Sequence, residues 1–193
     1  MAERVRKTME EMALNAIEIS KNLSDQDARI MEDLLLKAGK IYTMGVGHSG
    51  LVGKIFAMKL MHLGLASYVV GDVTTPGLRK RDVVVAISQS GETTSVVALS
   101  KKAKKLGGKV IAITACPRSS LGGIADHIVK IEAKVPGKKF PTLSTLGDEE
   151  HANLSGALFG INSFLFFYGL ICDLVLRAKQ TPGQIDSRHA NIE

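Results

Sequence analysis

The stretch VVVAISQSGET, residues 83–93, decides the fold of this chain. Residues 83–87 form a short apolar run that is typical of a strand buried in a parallel sheet. Apolar positions at helical spacing continue to residue 106, so the polar residues 88–93 are predicted to form a strand-to-helix turn. A helix N-terminus needs only one hydroxyl as a cap, whereas its free N–H groups and positive dipole end suit a phosphate. The predicted anion site therefore consists of Ser88, Ser90, Thr93 and the backbone around Gly91.

Strands and helices alternate on both sides of this turn. Strands are predicted at residues 41–46, 67–70, 83–87, 109–114 and 127–131. Helices are predicted at residues 3–22, from the N-cap Ser24 towards Gly39, and at 50–63, 94–106, 119–125 and 152–178. The alternation predicts an α/β fold in one domain over residues 1–193, with a parallel sheet that helices cover on both faces.

Two segments outside the sheet carry further expectations. The first helix is predicted to be amphipathic, with a broad apolar face that includes Met9, Met12, Ile17 and Ile19. A polar connection over residues 132–148 precedes the long C-terminal helix and is of a length that is often functional.

Composition narrows the classes of partner. The chain has 193 residues, 45% of them hydrophobic, and a net charge of +6. Its densest basic stretch, residues 101–105, lies on one predicted helix without interleaved aromatic residues, so we expect no nucleic-acid partner. Polar residues interrupt the apolar stretch 154–176, which predicts a buried helix and no membrane association. Residues 1–8 are charged and lack the apolar core of a signal peptide, so a cytoplasmic location is expected.

Residue spacings in the chain bear on whether it binds a metal or a dinucleotide cofactor. The two cysteines and five histidines show no metal-ligand spacing, so no metal site is predicted. Residues 45–50, GVGHSG, match the dinucleotide pattern G-x-G-x-x-G, and Asp72 follows the next strand as a ribose-binding acid would. A dinucleotide fold has no need of the second phosphate turn at residues 88–93, and the chain lacks a separate substrate domain. The two turns together favour one compact phosphate and no cofactor.

The pairing of the two turns resembles the sugar isomerase (SIS) domain family, and within it the 6-phospho-3-hexuloisomerase branch. The supporting segments are residues 57–64 (AMKLMHLG), 70–76 (VGDVTTP), 88–96 (SQSGETTSV) and 188–193 (RHANIE). The resemblance implies a three-layer α/β/α sandwich with a five-stranded parallel sheet. It also implies a homo-oligomer, a tetramer by expectation, with sites at subunit contacts.

The resemblance also implies an activity, the interconversion of 3-hexulose 6-phosphate and fructose 6-phosphate through an enediol. In the family, the hydroxyls of the two turns hold the sugar phosphate, and here these are Ser49, Ser88, Ser90 and Thr93. Gln89 and Gly91 complete the second turn, and Gln89 replaces the small residue that is usual in hexuloisomerases. Gly47 is a possible substrate contact in the first turn.

The chain departs from the family where a base is expected. The family carries Glu in the pattern Gly-Ser-Leu-Phe-Glu of the C-terminal helix, and this chain has Gly160 there. Further along the helix, Gly169 replaces a family Asp. A phosphosugar-binding protein without catalysis, serving as a sensor or regulator, is therefore the alternative to an isomerase.

Other side chains could supply proton transfer. His62 and His189 match family histidines, and imidazole titrates near neutral pH. The alternative for His62, which lies between Met61 and Leu63, is a hydrogen-bonded core histidine. Glu150 precedes the C-terminal helix and is a third catalytic candidate, or else complements a helix N-terminus. His48 stands where relatives often carry Arg, and it is either a possible substrate contact or a residue that faces solvent. Glu92 in the phosphate turn is a further possible substrate contact, although repulsion would direct it away from a phosphate to support the start of the helix.

Overall fold

Five parallel strands form one sheet with the order β2-β1-β3-β4-β5. The computed structural model describes residues 2–135 and 148–192, and for residues 148–155 it describes the backbone alone. The strands are β1 (Ile41–Met44), β2 (Ser67–Val69), β3 (Val83–Ile87), β4 (Lys109–Thr114) and β5 (His127–Lys130). The helices are α1 (Ala2–Ser20), α2 (Asp25–Leu36), α3 (His48–His62), α4 (Thr94–Lys105), α5 (Ser120–Ile124), α6 (Asp148–Arg177) and α7 (Pro182–Asp186).

The central strand β3 is buried along its whole length, as its apolar run predicts. Val83, Val85 and Ile87 pack into one core with α2, α3 and α6. Val84 and Ala86 face the opposite side and pack against α4 and α5. The alternation of side chains along a strand therefore produces two cores. The predicted three-layer sandwich with a five-stranded parallel sheet is confirmed.

The apolar face of α1 is only partly buried. Met9 is 65% exposed and Ile17 54% exposed, whereas the buried positions of this helix include Asn15 and Ile19. The Asn15 amide nitrogen donates to the carbonyl oxygen of Ala133 at 2.8 Å, and its amide oxygen accepts from the Val135 backbone N–H at 3.3 Å. The helix is turned so that these polar contacts face the domain, because the segment after β5 has buried backbone groups that need partners. Most of its apolar side chains are left on the surface.

The C-terminal helix α6 packs as a core element over part of its surface. The segment Gly156–Arg177 has a mean hydropathy of 1.8 and is long enough to span a membrane, but half of that window is buried inside the protein. Leu158, Phe159 and Leu174 are fully buried in the core beside α3. A helix at the centre of a large core meets the same criterion of length and apolarity.

The last residues form a short helix that the sequence analysis missed. In α7, the Thr181 hydroxyl accepts from the Gln184 backbone N–H, and the Gln184 side chain accepts from the Thr181 N–H. Pro182 fills the first helical turn, where no N–H is required. The sequence TPGQ carries this capping signal, so the helix could have been predicted.

Candidate functional site

The strand order places the two predicted phosphate turns side by side. In the order β2-β1-β3-β4-β5, the order in which strands are added to the sheet reverses between β1 and β3, and ligands of open α/β sheets bind in that crevice at the carboxyl ends of the strands. The GVGHSG turn (residues 45–50) follows β1, and the SQSGET turn (residues 88–93) follows β3. Dinucleotide-binding folds typically use the order 3-2-1-4-5-6, so this topology favours the single compact phosphate. Asp72, the ribose-binding candidate, forms an ion pair with Lys54 at 3.5 Å.

Two helix N-termini meet at this crevice. Helix α3 has Gly47 as its N-cap and α4 has Thr93, and neither residue makes a side-chain capping hydrogen bond. Neither helix carries an acidic residue in its first turn. The free N–H groups and the positive dipole ends are therefore not neutralised by the caps or first turns of these helices. This arrangement suits a dianion such as a phosphate monoester.

The hydroxyl groups of the SQSGET turn are organised by one another. The Ser88 Oγ lies 2.8 Å from the Thr93 Oγ1 and accepts from the Gly91 backbone N–H at 3.1 Å. Ser88 is buried, whereas Ser90 is exposed and its hydroxyl accepts from the Glu92 N–H at 3.2 Å. None of these hydroxyls caps α4, so the turn is built differently from an ordinary capping turn.

Gly91 allows the turn to close against the rest of the site. Its φ is +66°, and a Cβ at this position would lie 1.9 Å from the Ser119 Oγ and 2.5 Å from the Ser119 Cβ. Its carbonyl oxygen accepts from the Leu121 N–H at 3.0 Å, which joins the turn to α5. Only glycine satisfies both the backbone conformation and the space. The sequence carries no signal that Ser119 stands behind the turn.

A cavity of about 420 Å³, termed the site cavity, opens between the two turns and α6. It brings together His48, Ser49 and Gln89 from the turns, with Val46 beside them. Its far wall consists of Gly156, Ala157 and Phe159. A Cβ at Gly156 would lie 3.8 Å from the Gln89 Oε1, so the Gln89 side chain extends to this wall. The α6 wall was missed by sequence reasoning, since no local pattern shows which helix crosses the turns.

Glu92 turns away from the two helix N-termini, as expected from charge repulsion. Its carboxylate accepts from the Ser120 backbone N–H at 2.7 Å, so the helix start that it supports is that of α5 and not that of α4. Hydrogen bonds from Ser120 hold the pKa of this carboxyl below its ordinary value. Glu92 is thereby committed to a structural contact, and it does not line the site cavity.

His62 and His189 come together, but at the opposite end of α3. Their rings lie 3.9 Å apart, and the Arg188 guanidinium donates to the His62 carbonyl oxygen at 3.0 Å. The buried His62 has a lowered pKa, first because of burial and then because of His189 and Lys59 nearby. A helix of 15 residues is about 22 Å long, so this pair is remote from the turns of its own chain. The two residues remain catalytic candidates only for a neighbouring subunit's site.

Glu150 belongs to the first turn of α6, and its side chain lies outside the described residues. Its proposed catalytic role therefore stays a prediction. The polar connection before it lies largely outside the described residues as well.

A separate cavity of about 530 Å³ lies between α1, α2 and α6. Its lining is largely apolar and includes the carboxyl groups of Glu32 and Asp173. Carboxylates repel a phosphate, and among the described residues the helix start in this lining is that of α2, which Ser24 caps. The site cavity is therefore the better candidate for a phosphorylated ligand.

Known proteins are similar to the chain over most of its length. An uncharacterized protein of Methanothermobacter thermautotrophicus is 36% identical over 191 residues, which cover 98% of this chain and 97% of that protein. A Bacillus subtilis protein named 3-hexulose-6-phosphate isomerase is 36% identical over 171 residues and covers 89% of both chains. A crystal structure from Methanococcus jannaschii, for which a molecular function of 3-hexulose-6-phosphate isomerase was inferred, has a TM-score of 0.80 and 31% identity, covering 96% of this chain and 99% of that one. The SIS domain pattern matches residues 34–145, and the chain belongs to the SIS domain family.

Proposed function

We propose that this protein is a phosphosugar isomerase that interconverts 3-hexulose 6-phosphate and fructose 6-phosphate. The observation that carries the proposal is the pair of uncapped helix N-termini at the crevice between β1 and β3, with the Ser88 and Thr93 hydroxyls beside them. Such a site holds a phosphate monoester without a fixed cation. The names of the relatives at 31–36% identity support the hexulose substrate.

The phosphate-binding part of the proposal is tested by Ser88→Ala. The variant removes the acceptor of the Gly91 N–H and the partner of the Thr93 hydroxyl, so fructose 6-phosphate binding should weaken about 10-fold or more. Ser100→Ala is the matched control, because that buried hydroxyl lies on α4 without a partner among the described residues. Calorimetric titration of both variants gives the comparison. Equal affinities for the two would contradict the assigned site.

Turnover decides between an isomerase and a binding protein. We expect the purified protein to convert 3-hexulose 6-phosphate to fructose 6-phosphate, followed by NMR of the sugar carbons. The alternative of a sensor or regulator is favoured by one observation, the absence of a carboxylate at Gly160. Tight binding of fructose 6-phosphate without any conversion would show that the protein is a phosphosugar-binding protein and would contradict the proposed isomerase activity.

We also propose that the protein is a homo-oligomer, with a tetramer as the expected state. The exposed apolar side chains of α1 and α6, among them Met9, Ile17 and Leu165, support self-association. The remoteness of the His62–His189 pair from its own chain's turns is consistent with a role at a neighbouring site. Light scattering of the purified protein should give a multiple of the 20.7 kDa chain mass, and a monomer at all concentrations would contradict the proposal.

A further inference from the structure

His48 and Gly160 fit together across the site cavity. His48 is the first residue of α3 and the fourth residue of the GVGHSG turn, and Gly160 lies on a buried face of α6. A Cβ at Gly160 would lie 2.5 Å from both the Nδ1 and the Cε1 of His48 and 2.9 Å from its Cγ. Any side chain at this position would therefore displace the imidazole. The His48 ring fills the space that a side chain at Gly160 would occupy.

His48 is also the side chain of the site cavity with suitable chemistry. Among the described residues that line this cavity, the others are apolar, hydroxyl-bearing or amide-bearing. Imidazole is the side chain whose ordinary titration falls between pH 5 and pH 8, which suits a general acid–base group. Within the described part of the chain, neither ring nitrogen of His48 has a hydrogen-bond partner, so both are available to a ligand. Glu92 is engaged with Ser120, and His62 lies at the other end of α3.

We infer that His48 is the catalytic residue that moves the carbon-bound proton, and that Gly160 is the positioning residue that leaves room for its ring. This inference rests on the proposed function. In 3-hexulose 6-phosphate, an imidazole nitrogen takes the proton from C2, the C–H electron pair forms the C2=C3 double bond, and the C3 oxygen takes a proton from water. The enediol then loses the O2 proton to water as the carbonyl forms at C2, and the imidazolium returns its proton to C3.

The first test is His48→Gln, with His48→Asn as a second variant in case one of them folds poorly. We expect kcat to fall about 100-fold or more, because a positioned acid–base group contributes at least that factor. Fructose 6-phosphate affinity should change little, and exchange of the substrate hydrogen with D₂O should fall in parallel with kcat. A loss confined to KM would show that His48 only contacts the phosphate, and would overturn its catalytic role.

The second test compares two glycines of the same helix. Gly160→Ala places a methyl group against the His48 ring, whereas a Cβ at Gly169 meets nothing within 4 Å. We expect Gly160→Ala to lower kcat about 10-fold or more, Gly169→Ala to leave it unchanged, and Gly160→Ala to have no further effect in the His48→Gln background. Equal activity of the two glycine variants would overturn the positioning role. If the wild-type protein binds the sugar phosphate but does not convert it, the proposed function itself is overturned. If the wild-type protein is active and His48→Gln is equally active, only the inference about His48 is overturned.

Discussion

Gly91→Ala is expected to remove sugar-phosphate binding and to destabilise the protein. Its Cβ would lie 1.9 Å from the Ser119 Oγ, and the residue has a φ of +66°. The left-handed backbone and the overpacking together should cost about 3 kcal/mol of unfolding free energy. Because the Gly91 N–H donates to Ser88 and its carbonyl accepts from Leu121, the clash also breaks the geometry of the anion site.

Gly71→Ala provides the matched control for this prediction. Gly71 also has a positive φ, +100°, but a Cβ there would meet nothing within 4 Å. This variant should lose about 1 to 2 kcal/mol from backbone strain alone and should bind fructose 6-phosphate like the wild type. Urea unfolding and calorimetric titration give both quantities. If Gly91→Ala binds as tightly as Gly71→Ala, the SQSGET turn is not the phosphate site.

Arg177→Met is expected to produce the other large effect, a marked fall in the urea midpoint at pH 7. The Arg177 guanidinium donates to the Glu32 carboxylate at 2.6 Å and also to Asp33. Glu32 is only 3% exposed, so the substitution leaves a buried carboxylate without its cation. Asp33→Asn is the matched control, because Asp33 is 45% exposed and the Glu32 contact stays intact. Its midpoint should remain close to that of the wild type.

The stability that Arg177→Met loses should be larger at neutral pH than near pH 4.5. Burial raises the pKa of Glu32 above its ordinary value of 4.5, and the Arg177 contact opposes that rise. Without Arg177 the folded state holds the proton of the Glu32 carboxyl more tightly. The free energy of unfolding of the variant therefore falls as pH rises from 4.5 through the raised pKa. The deficit of Arg177→Met should shrink as the pH approaches 4.5, and Glu32→Gln in the same chain should remove most of it. A deficit that is constant with pH would show that lost packing, and not the charge, is responsible.

The fold was predictable because its strands carry strong local signals. The bounds of β3 and β4 are those that the apolar runs predict, since continuous valine and isoleucine leave little alternative. The orientation of α1 could not be predicted, because helical periodicity does not reveal that Asn15 would find a buried backbone partner 118 residues away. Local patterns describe which faces are apolar, and distant polar groups decide which face is buried.

For the candidate site, the sequence predicted the two turns and their neighbouring positions, and it did not predict the contacts between them and α6. Both turns can be identified in the sequence by glycine and hydroxyl residues that follow apolar strands, and the strand order brings the turns together. The relation between His48 and Gly160 was out of reach, because it joins two residues 112 positions apart in sequence, 48 and 160, through the crossing of two helices. The resemblance to the family implies a carboxylate at this position where the chain has Gly160, and the structure shows the imidazole that occupies the space.

The uncapped N-termini of α3 and α4 have a consequence for selectivity. Among the described residues, the lining of the site cavity includes no lysine or arginine, so the attraction that these residues offer an anion comes from backbone dipoles and the Ser49 hydroxyl. The field of a dipole decreases faster with distance than that of a full charge, so a ligand gains little until its phosphate is fully seated. Polyanions that are too large to enter the site cavity would gain little binding free energy from the site, despite the net charge of +6 on the chain. The site would respond to the shape of the ligand as much as to its charge, and salt would weaken binding less than in a lysine-lined pocket.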